Sequence, residues 1–391
     1  MKKYLIIGNG VAGTTAADYI RRNDVNGEIT IVSSEDLPFY YRVRLPDLLG
    51  GGVAEPELIV KKDEWYSERK IVLKLGTRII RTDSEERSAV AENGETLGYD
   101  RLLVANGSHP FIPPIKGSEK KGVFALHTIK DVRAISKFAE NIKDVVFIGG
   151  GLLGLETANA LHKQGKDITV VEFLPRLLPR QLDIDGAARL QRFFEKMGFT
   201  FRLGVSTREI TGADSVEQVL LDNDDVLPAG MVIVSAGVRP NLELAGMLGL
   251  EKDKGIIVNE RLQTSGPDIY AAGDVIEFHG RTYGIWPAAT EQGKIAGINI
   301  AGGNAIYKGT TLSNILKVAG IDLASAGEID ENNRYEARVI ATETVYKKVV
   351  IDHDRVIGCI MLGDRKNFNR ISNAISSGEN ILPELDALLS G

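Results

Sequence analysis

The chain has 391 residues, and at roughly 100 to 200 residues per domain that length predicts two or three domains rather than one core. Hydrophobic residues make up 43% and charged residues 26%, a globular mix that excludes a disordered or fibrous chain. The balance of 47 basic and 53 acidic residues leaves a net charge of −6, so no overall basic field points to nucleic acid, and no apolar run reaches the roughly 18 to 20 residues of a membrane span. We therefore expect a soluble, cytoplasmic protein with no nucleic-acid or membrane partner. Its one cysteine, Cys359, excludes an intrachain disulfide, a CxxC pair and a four-cysteine iron–sulfur site.

In chain order, the first predicted strand, YLII, runs directly into GNGVAG, a helix-like stretch TTAADYI and a β-branched run EITIV that ends at Val32. The same order recurs from residue 145: VVFIGGGLLG, then LETANAL, then DITVV ending at Val171. Two βαβ units are thus written into the chain, each with a strand ending on GxGxxG, at Gly8, Gly10 and Gly13 and again at Gly149, Gly151 and Gly154. In that context the first glycine permits a tight turn, the second admits a pyrophosphate to the backbone, and the third lets helix pack on strand. The predicted fold class is therefore α/β with two Rossmann-like dinucleotide-binding domains.

The copies differ where the second strand meets the ribose. Glu172 ends the second copy, and a carboxylate there accepts from a ribose diol and repels a 2′-phosphate, which predicts NADH over NADPH. The first copy has Ser33 at that place and Glu35 two residues on, so a ribose role for Glu35 stays open. The three prolines of SHPFIPPIKG, residues 108 to 117, predict an extended connector. Further on, DIYAAGD places Gly273 and Asp274 where a carboxylate can meet sugar hydroxyls. Pro287, after Trp286, predicts a helix running to about residue 301 with free N–H groups at 288 to 290. No spacing of His, Asp or Cys suggests a metal site.

Four more segments complete a pattern: YDRLLVANGSHP at 99–110, containing Ala105 and Gly107; VIVSAGVRPN at 232–241, containing Gly237; TSGPDIYAAGDV at 264–275; and WPAATEQGKIAGINIAG at 286–302. With the two glycine loops they resemble the FAD-dependent pyridine nucleotide oxidoreductases over essentially the whole chain. LPFYYRVRL at 37–45 and LKVAGIDLASAG at 316–327 look most like NADH:rubredoxin oxidoreductases and the flavin module of nitrite reductases. The resemblance implies a glutathione reductase-like arrangement with FAD on the first loop and NAD(P)H on the second. It places a discontinuous FAD domain at about 1–112 and 246–308, the NAD domain at about 113–245, and a small α/β cap at about 309–391 that forms homodimer contacts or receives the acceptor.

The same resemblance puts Arg42 and Arg44 near pyrophosphate and flavin, and Glu156 where relatives carry an acid paired with a basic residue beside the nicotinamide. It implies an Arg42–Glu156 pair that orders the site for hydride transfer; otherwise Arg42 and Arg44 are strand charges and Glu156 a helix-surface acid. His109 and His127 receive no assigned role. Disulfide reductases of the family need thiols early in the chain, and here YYRVRLPDLLGG stands in that region, with Cys359 in an apolar strand-like run. Electrons are then expected to leave for an external acceptor, rubredoxin or another small iron–sulfur protein first, or a partner redox subunit. Lys347, Lys348, Arg355, Arg365, Lys366 and Arg370 are the expected basic face for an acidic partner. The alternatives are the flavin subunit of a nitrite reductase-like complex and a non-catalytic NADH-binding sensor or scaffold.

Overall fold

In the computed structural model residues 1–390 are described; the side chains of 316–318, part of the 316–327 segment, and Gly391 lie outside that description. The chain forms two compact units: Met1–Arg42, Ala54–His109 and Val238–Thr310 make one, and Val43–Val53, Pro110–Gly237 and Thr311–Gly391 the other. The units change over at 109/110 and 237/238, and the short segment 43–53 groups with the second unit.

The first unit is built on a parallel sheet in the order Ile269–Ala271, Arg101–Val104, Lys3–Ile7, Glu28–Val32, Ile71–Lys74. YLII and EITIV carry few polar residues because a parallel sheet is covered on both faces; Leu5, Ile6, Ile29 and Ile31 are all buried. The helix Val11–Asn23 follows the first strand and packs against the helix Trp286–Ile300. Glycine makes that approach close, since a Cβ at Gly293 or Gly297 would lie 2.5 Å from the carbonyl oxygen of Ala12 or Ala16.

The second unit repeats the plan, with parallel strands in the order Thr200–Leu203, Asp167–Glu172, Asp144–Ile148, Met231–Val234, Val123–Phe124. Its helix Ile184–Lys196 is capped by the Asp183 side chain, which accepts from Gly186 N at 3.0 Å. The same unit contains the terminal antiparallel sheet, in the order Ser313–Val318, Ile321–Gly327, Arg355–Leu362, Tyr346–Asp352, Glu336–Ala341, covered on one face by the helix Phe368–Ser377. Among the described residues no helix is long and apolar enough to cross a membrane.

Candidate dinucleotide sites

The two glycine loops are built alike, residue for residue. Gly8 has φ +120° and Gly149 φ +111°, and a Cβ on either would lie 2.1 Å from Ala105 O or 2.3 Å from Ser235 O, the first residue past the neighbouring strand. Only glycine fits there. Gly13 and Gly154 close each loop, where a Cβ would lie 2.0 Å from Gly8 O and 2.7 Å from Gly149 O. Gly10 and Gly151 differ from both: they stand at the N-caps of their helices, and a Cβ on either meets nothing within 4 Å. Each loop therefore holds open space at the second glycine, against a positive helix end, as a pyrophosphate requires.

In the first unit two buried polar atoms near this cradle have no partner, Asn9 Nδ2 inside the glycine loop and Asn106 Oδ1 in the segment between Ala105 and Gly107. Asn106 is held through its other groups: its Nδ2 donates to Asn241 O at 3.1 Å, and Asn241 Nδ2 donates to Asn106 O at 2.7 Å. His109 Nδ1 lies 2.7 Å from Asn241 Oδ1, so its visible role is to support this turn. Asp274 is part-buried, and desolvation raises its carboxyl above the usual range while the Ser108 hydroxyl, donating at 3.2 Å, and the Arg42 charge pull it back. Gly273, at φ +90°, donates its N–H to Gln292 Oε1 at 2.9 Å, and Gln292 Nε2 donates in turn to Tyr307 OH at 3.0 Å. Trp286 stacks on Tyr41 at 5.1 Å and lies 5.6 Å from Phe39, forming an aromatic wall. Unpaired polar atoms, a part-buried acid and an open second glycine together suit a flavin dinucleotide.

Several expectations change here. YYRVRL is not a strand: Arg42–Arg44 is a 3₁₀ turn that leads into the short helix Leu45–Leu49. The helix at Pro287 begins at Trp286, and Ala289 N already donates to Ile285 O at 3.1 Å, so that N–H is used inside the helix and not free. Ser33 is buried and its hydroxyl accepts from Glu35 N at 3.2 Å. The Glu35 carboxylate accepts from Tyr40 OH at 2.6 Å and from the Arg42 guanidinium, which also sits over the Tyr40 ring. Arg44 instead pairs with Asp47 at 3.1 Å.

In the second unit the Glu172 carboxylate is aimed by backbone: Gly150 N donates to Oε2 at 2.7 Å and Leu174 N to Oε1 at 2.9 Å. Gly237, at φ +94°, opens on empty space, and its carbonyl accepts from Phe111 N at 2.8 Å. His127 N donates to Asp131 Oδ2 at 3.0 Å, within the capping box that starts the helix Ile129–Ala139. Glu156 lies on the helix Leu152–Lys163, where burial first and the nearby Asp47 carboxylate second push its carboxyl up to about 7.

The expected basic face loses its two lysines, while Arg355, Arg365 and Lys366 stay exposed. Lys347 and Lys348 are each only 3% exposed. Lys347 Nζ reaches Asp364 at 2.7 Å and Leu389 O at 3.0 Å; Lys348 Nζ reaches Asp183 at 3.2 Å and Asp330 O at 3.1 Å, with Tyr346 OH donating to the same Asp183 oxygen at 2.6 Å. A buried ammonium is tolerated only when paired, and these two are spent on internal pairing. Arg365 pairs with Asp322, and Arg370 with Glu379 and Glu384. Cys359 is fully buried in the terminal sheet, and burial pushes its thiol up to about 12.

Comparison with known proteins agrees with this geometry. Residues 2–293 match the pyridine nucleotide-disulphide oxidoreductase family and residues 313–379 the rubredoxin NAD+ reductase C-terminal domain. The chain is 36% identical to the assimilatory nitrate reductase electron transfer subunit of Bacillus subtilis (strain 168), over 97% of this chain and 50% of that protein. It is 35% identical to an NADH oxidase of Methanocaldococcus jannaschii, over 94% of this chain and 89% of that one. The crystal structure of NADH:rubredoxin oxidoreductase from Clostridium acetobutylicum superposes with a TM-score of 0.83 at 30% identity, covering 100% of this chain and 99% of the other. Several of the curated relatives are longer, and the chain spans about half their length. A family match across three quarters of the chain, on two intact glycine cradles, makes this protein a member of the pyridine nucleotide-disulphide oxidoreductases, flavoproteins that use FAD and NAD(P)H.

Proposed function

We propose that the chain passes electrons from NADH through FAD to an external acceptor, with no thiol of its own in the path. The observation that carries this reading is the pairing of two open dinucleotide cradles with a single cysteine sealed in a core. Bound FAD and NADH supply the hydride and electron transfer, as cofactors do in such enzymes. The residues of the chain bind and orient. Gly10 and Gly151 leave room for pyrophosphate at helix N-termini, Asp274 and its Ser108 donor face sugar hydroxyls, and Glu172, fixed by two backbone N–H groups, takes the ribose diol. Arg42, tied to Glu35 in the first unit, and Glu156, at the second glycine loop, are each assigned an ordering role in hydride transfer. The domain limits proposed are 1–112 with 246–308 for FAD, 113–245 for NAD and 309–391 for the cap.

The acceptor proposed is rubredoxin or another small iron–sulfur protein, supported by the terminal domain match and by the names of the relatives. A homodimer through the cap and a cytoplasmic location, where NADH is available as reductant, go with this reading. A second reading has specific support: because several relatives are twice as long, the chain acts as the flavin module of a nitrite reductase-like system whose acceptor is a partner subunit. Purified flavin-loaded protein mixed with NADH and rubredoxin tests both. Rapid rubredoxin bleaching is expected. Fast flavin reduction with no transfer to rubredoxin selects the partner-subunit reading, and slow reduction with a long-lived charge-transfer band removes the enzyme reading in favour of a sensor.

A further inference from the structure

Four residues past Glu172, the loop 173–183 carries the cation nearest in sequence to the ribose acid, Arg176. That loop turns back under the second glycine loop: Leu178, buried at φ +49°, donates its N–H to Gly150 O at 3.5 Å, and a Cβ on Gly150 would lie 2.8 Å from Leu177 Cδ2. A guanidinium in this position is what a 2′-phosphate needs, as a bidentate donor with fixed charge. Yet Arg176 is turned inward and only 13% exposed. Its Nη2 donates to Pro179 O at 3.1 Å, its Nε to Leu182 O at 3.4 Å, and its Nη1 to Glu331 Oε1 at 2.8 Å.

Glu331 comes from the terminal domain, in the turn between the strands Ile321–Gly327 and Glu336–Ala341. That turn is built before it meets Arg176. The buried Asp330, at φ +50°, accepts from Arg334 N at 2.7 Å and Tyr335 N at 3.2 Å, while its carbonyl takes Lys348 Nζ. Glu331 is therefore presented by a pinned backbone and not by a long free side chain reaching across solvent. The Arg176 contact holds its carboxyl below the usual range, as expected of a charge held against a partner.

We infer that Glu331 is a positioning residue for coenzyme choice: by holding Arg176 against the terminal domain it keeps that guanidinium from the 2′ position and reinforces the NADH preference set by Glu172. The inference rests on the reading of the second cradle as the NADH site. It predicts that selectivity against NADPH is shared between an acid in the cradle and an acid in a different domain.

The test is equilibrium titration of the flavin-loaded protein with NAD+ and with NADP+ by calorimetry, on wild type, Glu331→Gln, Glu331→Asp and the double variant Arg176→Gln/Glu331→Gln. Glu331→Gln should tighten NADP+ by about threefold, the scale on which one half-exposed ion pair acts, with NAD+ moved by less than that. The double variant should lose the gain, because the freed cation is gone, and Glu331→Asp should sit between Gln and wild type. Thermal melts on all four confirm that the fold is retained. Equal shifts for both nucleotides, or a gain that persists in the double variant, would overturn the clamp. If wild type binds NAD+ normally and Glu331→Gln changes nothing, the clamp alone fails; if wild type binds neither nucleotide, the assignment of the cradle fails with it.

Discussion

The two glycine cradles make the same backbone and surround it differently. Both place a strained first glycine against the neighbouring strand, an open second glycine at a helix N-terminus and a third glycine in the first turn of the helix. At the strand end, however, the second unit has Glu172 held by backbone N–H groups, whereas the first has buried Ser33 and an acid, Glu35, already engaged by Tyr40 and Arg42. One helical turn in, the second unit carries the part-buried Glu156 where the first has Thr15. The shared part is what any dinucleotide demands of a backbone; the differing part is where we propose that a choice between ligands is made.

The largest effect should separate the glycines within one loop. Gly8→Ala forces a Cβ into the Ala105 carbonyl at a positive φ and should cost about 3 kcal/mol or more in folding stability, measured by denaturant unfolding of the apoprotein. Gly10→Ala meets no protein atom, so the same unfolding curve should be unchanged while FAD affinity drops about tenfold, near 1.4 kcal/mol. The pair Gly149→Ala and Gly151→Ala should repeat this split for the pyridine nucleotide. A Gly10 or Gly151 variant that loses stability as much as its neighbour would break the likeness of the two cradles.

The second effect is peculiar to the second unit. Burial and Asp47 hold the folded pKa of Glu156 near 7, against about 4.5 unfolded, so between those values folding takes up a proton, and above 7 an ionised carboxylate is kept in a poor environment. Stability is thus lost as pH rises from about 4.5 to 7. Glu156→Gln should raise apoprotein stability at pH 8 by up to about 3 kcal/mol and change it little at pH 5. A Gln variant with equal effects at pH 5 and pH 8 would show that Glu156 titrates normally.

The smallest effect addresses the strand ends. Glu172→Gln should narrow the NADH over NADPH ratio of kcat/KM by about tenfold, the value of one charge-assisted hydrogen bond and one lost repulsion. Glu35→Gln should leave that ratio unmoved, because its carboxylate is tied within the first unit. Steady-state rates with both coenzymes decide it, and a ratio that shifts with Glu35 but not with Glu172 would reverse the assignment.

The α/β class, both cradles and the place of Glu172 were legible from residue order alone, since glycines at a strand end and β-branched runs on either side act through local backbone sterics and short-range pairing. Cys359 was legible too, as a cysteine inside an apolar run. What only the tertiary structure decided were the partners of charged groups. Lys347 and Lys348 read as an exposed basic face, yet carboxylates at Asp364 and Asp183, neither a sequence neighbour, draw both side chains inward. Arg42 finds Glu35, and Arg176 finds Glu331 from the far end of the chain. Asn106, Asn241 and Gln292, which build the first site from three separate segments, leave at most a faint sequence signal, a polar residue within an otherwise buried helix face at Gln292. The physical reason is range: a strand-to-glycine-to-helix order shows itself in neighbouring residues, whereas a charge answers to whatever the fold brings within about 4 Å.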